Sequence, residues 1–133
     1  MDTNRIAAPL LAALALVAAG TALAQCPLAE YTIEGRVLDQ AGRPIPGSRV
    51  EAEWSERAAG VVSNQREADA DGAFSIRIPF DTFSGRTFLG EARCEATLER
   101  VTLRVTSPGY RPRTEIVDPA TAPRPLLVVL DTE

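Results

Sequence analysis

The chain has 133 residues, with 18 acidic against 14 basic side chains and a formal net charge of −4. All the basic residues are arginines, and histidine and lysine are absent. That excludes a Ser-His-Asp triad, a His-ligated metal, an imidazole base, a P-loop lysine and a Schiff base. An acidic chain is also a poor partner for nucleic acid, where phosphate neutralisation dominates affinity.

Residues 1–5 are polar and end in Arg5, residues 7–19 are an Ala, Leu and Val run broken only by Pro9, and Ala22-Leu23-Ala24 supplies the small-x-small pattern. A charged head, a short apolar middle and such a site describe a secretory signal peptide over residues 1–24. Residues 25–133 are then one domain, periplasmic or secreted, with no membrane span after cleavage. Two alternatives stay open. An uncleaved anchor has an apolar run short for the ~20 residues of a span. A lipoprotein would use Cys26, but Gln25 stands where a small residue is needed. Cys26 and Cys94 are the only cysteines. In an exported chain an even pair reads as a disulfide before a metal site or a nucleophile.

The mature chain alternates like strands. Tyr31, Ile33, Gly35 and Val37 share one face. The same holds for Val50, Ala52 and Trp54, for Phe74, Ile76 and Ile78, and for Val101, Leu103 and Val105. Weaker runs lie at residues 61–66 and 113–116, and the last, residues 126–130, is apolar on both faces. Asp39-Gln40-Ala41-Gly42 punctuates the first connection, Asp71-Gly72 is a tight hairpin signal, and Pro108-Gly109 closes a later link. Residues 90–98 suggest a helical turn. The prediction is all-β: a seven-stranded antiparallel sandwich.

Three segments resemble a known family. Ile33-x-Gly35-x-Val37-x-Asp39-x-x-Gly42-x-Pro44-Ile45-Pro46-Gly47-x-x-Val50 is similar to the opening of carboxypeptidase regulatory-like domains. Asp71-Gly72-x-Phe74-x-Ile76-x-Ile78-Pro79 resembles that family's central strand, and Val105-x-x-x-Gly109-Tyr110 a later corner. The resemblance implies a prealbumin-like sandwich and a non-catalytic module. It places the Val50 and Val101 strands on either side of the Phe74 strand, and the last strand at a sheet edge. Enzymes of similar fold, the hydroxyisourate hydrolases and intradiol dioxygenases, depend on histidines that this chain lacks. No catalytic residue, cofactor or metal ligand carries over.

Other constellations have plainer readings. Glu67-x-Asp69-x-Asp71-Gly72 opens like a calcium loop, but its twelfth position is Ile78 rather than a bidentate Glu. Glu51 and Glu53 point the same way on one strand, as solvated neighbours do. The expected strand order brings them near Arg77, and Arg77 near Arg100 and Arg104. Residues 80–91 hold Phe80, Phe83 and Phe88, with Arg86 and Leu89 among them. Such a loop either caps the open end of the sandwich or recognises a partner. Leu127 and Val129 should point out of the last strand, whose edge is a template for a second copy or another envelope or extracellular protein. The expected function is an exported, non-enzymatic binding or accessory module acting through protein contacts. The alternatives are a small carboxylate-dependent hydrolase, which needs acids gathered on a concave site, and a purely structural envelope protein.

Overall fold

The computed structural model describes residues 26–56 and 59–133, and the signal peptide expected over residues 1–24 lies outside them. The described residues form nine strands and no helix: β1 (Leu28–Asp39), β2 (Arg49–Glu56), β3 (Gly60–Glu67), β4 (Ala73–Asp81), β5 (Gly85–Arg86), β6 (Ala92–Arg93), β7 (Val101–Thr106), β8 (Arg113–Val117) and β9 (Leu126–Leu130). Each predicted strand is present. The two additional ones, β5 and β6, are two residues long and form a small hairpin. Its second half overlaps the stretch 90–98 expected to hold a helical turn, which contains none.

The long strands make two sheets, ordered β4-β1-β9 and β3-β2-β7-β8. β1 and β9 run parallel, which corrects the purely antiparallel expectation. The pairing of β2 with β7 is a second correction, because β4 lies in the other sheet beside β1. Glu51 therefore stands opposite Arg104, and Arg77 bonds Glu30 at 2.9 Å. That exposed pair adds little stability. The link from β3 to β4 crosses between sheets, so Asp71-Gly72 is not a hairpin turn.

Alternation explains the core. Ile33 and Val37 of β1, Val50, Ala52 and Trp54 of β2, Phe74, Ile76 and Ile78 of β4, and Val101, Leu103 and Val105 of β7 all point inward and are buried. From β9, Val128 and Leu130 join them. Gly35 is crowded by both neighbours within its own sheet, β4 and β9. A Cβ there would lie 2.5 Å from both the Phe74 ring and the Leu126 carbonyl oxygen, which accounts for a glycine inside a strand.

At one end of the sandwich the turns are tightly bonded. Asp39 Oδ1 accepts the backbone N–H groups of Ala41 and Arg43, and Asp69 Oδ1 those of Asp71 and Ala73. The second of these is an Asx-type turn, so Asp69 of the calcium-like motif serves its own backbone. Val37 N donates to Gly72 O at 2.8 Å, docking one turn against β1.

Candidate functional site

The opposite end, where β1 and β7 begin and β2 and β4 end, is built differently. Cys26 and Cys94 form a disulfide with Cα atoms 5.3 Å apart, as expected from the cysteine count. The bond ties the start of the described chain to the segment after β6. Thr82 Oγ1 donates to the Pro27 carbonyl at 2.7 Å, and Ala96 N to the Thr82 carbonyl at 2.9 Å. These three links hold residues 94–98 beside the end of β4.

An open cleft of about 640 Å³ results, within the ~300–1,000 Å³ range of small-molecule sites. Trp54, Phe80, Phe83 and Leu98 supply its apolar lining. Trp54 is buried, while Phe80 and Leu98 are half-buried and packed on the core. Among the described residues, Glu53, Glu56, Asp81 and Glu99 also line it, with Arg100 as the cation. Two of these acids are oriented by the protein: Glu56 Oε1 accepts the Trp54 indole N–H at 3.3 Å, and Asp81 Oδ1 the Phe83 backbone N–H at 2.9 Å. Acids gathered on a concave surface were the condition attached to carboxylate chemistry, and the cleft provides them. Among the described residues, no group of three or more Cys, Asp or Glu side chains is arranged to hold a metal ion.

The candidate recognition residues divide into three sets. Phe80 and Phe83 line the cleft and are half-buried, so this part of the loop caps the sandwich end. Arg86 is exposed on β5, and Phe88 and Leu89 sit at the hairpin tip with 96% and 72% of their surface exposed. Leu127 is exposed and Val129 half-buried on the outer face of β9, about a strand's length from the cleft. The β9 edge is partly closed by its own chain. Arg113 Nη1 donates to the Val129 carbonyl, Arg111 N to the Asp131 carbonyl, and Tyr110 bridges Thr132. Sequence reading missed Trp54, Glu56, Asp81, Leu98 and Glu99 as a group. Each reads as an ordinary strand or loop residue, and the only local sign was the Trp-x-Glu spacing at the end of β2.

No family model matches the chain, and no curated protein matches it. Solved structures similar to it include hydroxyquinol 1,2-dioxygenase from Pseudomonas putida DLL-E4, at 18% identity and TM-score 0.47, covering 72% of this chain and 40% of that one. 3-Chlorocatechol 1,2-dioxygenase from Rhodococcus opacus 1CP matches at 14% identity and TM-score 0.47, covering 67% and 43%. Wild-type Acinetobacter radioresistens catechol 1,2-dioxygenase matches at 22% identity and TM-score 0.47, covering 67% and 35%. The chain thus spans less than half the length of each. These similar structures are enzymes, which overturns the expectation of a non-enzymatic, non-catalytic module. At this level of similarity no activity transfers to this chain.

Proposed function

We propose that this sandwich binds a small amphipathic molecule, an aromatic or branched apolar body bearing a cationic group, in the cleft at its disulfide-closed end. One observation carries the reading: among the described residues, an apolar lining of Trp54, Phe80, Phe83 and Leu98 shares the cleft with four carboxylate residues and one arginine. Apolar burial supplies most of the affinity of such sites, and a few placed polar groups supply orientation. An ammonium or guanidinium group would gain charge-assisted bonds to Glu53, Glu56, Asp81 or Glu99. An anionic analogue would meet net repulsion.

Export to an oxidising compartment is part of the proposal, supported by the Cys26–Cys94 disulfide. Kinship with carboxypeptidase regulatory-like domains is supported by the close approach at Gly35 and by β9 standing at a sheet edge.

Trp54 is the only tryptophan in the chain and reports directly on the cleft. Titration with phenethylamine should change its fluorescence saturably, and phenylacetate should not. An equal response to both, or none to the amine, refutes the reading. Mass analysis of each incubated compound establishes whether the bound molecule is also turned over.

A further inference from the structure

Residues 85–93 form a hairpin whose large apolar side chains, Phe88 and Leu89, stand exposed among the described residues. Gly85 pairs with Arg93 and Arg86 with Ala92, Thr87 N donates to the Glu91 carbonyl, and Gly90 N to the Thr87 carbonyl. The base is fixed by the Ser84 N to Arg93 carbonyl bond and, one residue on, by Cys94. This bonded frame presents Phe88, 96% exposed, and Leu89, 72% exposed, to solvent beside exposed Arg86 and Arg93 and one exposed acid, Glu91, with Arg86 Nη1 donating to the Gly90 carbonyl at 3.3 Å. An aromatic side chain on a stiff support is an efficient binding anchor, since little conformational freedom is lost on burial.

We infer that two copies of this chain exchange hairpin tips, each Phe88 seated in the other copy's cleft. The inference rests on reading that cleft as a site for an aromatic body beside a cation, because the tip offers the same chemistry. Charge complementarity selects the second copy as occupant. Arg86 and Arg93 would approach Glu53, Glu56, Asp81 and Glu99, whereas the chain's net charge of −4 works against an anionic lipid surface. The chain's own cleft is not the acceptor, because Phe88 is almost wholly exposed. Donor and acceptor are contiguous: Phe83 and Ser84 line the cleft, and Gly85 begins the hairpin. One surface patch carrying both halves of a contact is the requirement for a closed two-fold dimer. A small cationic ligand and the partner's tip would then compete, so that ligand releases the dimer.

Sedimentation of the oxidised protein over a concentration series tests this. The expected result is a monomer–dimer equilibrium weakened about tenfold or more by Phe88→Ser, and shifted to monomer by phenethylamine. A wild-type protein that stays monomeric, or a dimer indifferent to both Phe88→Ser and the amine, overturns the exchange. Amine titration of the Phe88→Ser protein, followed at Trp54, separates the two proposals. Binding by a variant taken from a wild type that never dimerised refutes the exchange alone. No binding in either protein refutes the cleft reading, and the exchange with it.

Discussion

The two ends of this sandwich are closed by different means. At the turn end, short connections are held by backbone hydrogen bonds and by carboxylates that accept two N–H groups each, at Asp39 and Asp69. At the cleft end, one disulfide and a few scattered bonds hold a long segment that leaves a cavity open and two large apolar side chains in water. The first arrangement satisfies backbone polarity locally. The second leaves surface unburied, at a cost to stability that a bound molecule or a second copy can offset. Rigidity and recognition are thus separated along the strand axis, as expected when binding loops are drawn from the less stable parts of a fold.

Breaking the cleft end should have the largest effect. The Cys26–Cys94 bond spans a sequence separation of 68 residues, for which loop entropy gives a stabilisation of about 4 kcal/mol. Cys94→Ser should lower the unfolding free energy by about that amount in denaturant titrations. It should also abolish the amine response at Trp54, because residues 94–98 lose their anchor. A variant that keeps both stability and response would show that the Thr82 bonds alone hold the lip.

Substituting a glycine at each end sharpens the contrast. Gly72 has φ +71°, and an added Cβ would lie 2.5 Å from the Val37 carbonyl oxygen, a backbone atom that cannot yield. Gly72→Ala should cost about 3 kcal/mol, from the left-handed conformation together with the collision. Gly90, at φ +82° in the hairpin turn, has open space around it. Gly90→Ala should cost about 1 kcal/mol, the conformational part alone. Equal losses in the two proteins would show that the turn end is no more tightly packed than the tip.

The same contrast explains what was legible in the sequence. At the turn end each special conformation needs a special residue. Asp39, Gly42 and Gly47, then Asp69 and Gly72, stand out along the chain. The core was legible as well, because alternation fixes which side chains share a face. Alternation does not say which strand is whose neighbour. The β2–β7 pairing and the parallel β1–β9 pairing therefore differed from expectation. The cleft was the least legible part, since Trp54, Asp81 and Leu98 meet only when three connections converge. The aromatic content of residues 80–91 did mark the region, but not that Phe80 and Phe83 would turn inward while Phe88 turned out.

The smallest effect concerns the turn end and its response to acid. Asp39 Oδ1 accepts the Arg43 N–H at 2.8 Å and the Ala41 N–H at 2.9 Å, and Oδ2 meets Arg43 Nε at 3.1 Å. The Arg43 backbone N–H is the main cause holding this carboxyl below its usual range; partial desolvation opposes it, and the Arg43 guanidinium assists. A pKa depressed in the folded state contributes stability that is present above the unfolded value and is lost as pH falls through the folded one. The stability difference between wild type and Asp39→Asn should therefore hold steady above about pH 5 and shrink as the pH drops through the carboxylate range. Arg43→Ala discriminates between the donors, because it removes the guanidinium and keeps the backbone N–H. With the backbone dominant, that protein should retain most of the wild-type acid sensitivity. An acid limb as flat as that of Asp39→Asn would assign the effect to the exposed side-chain pair instead.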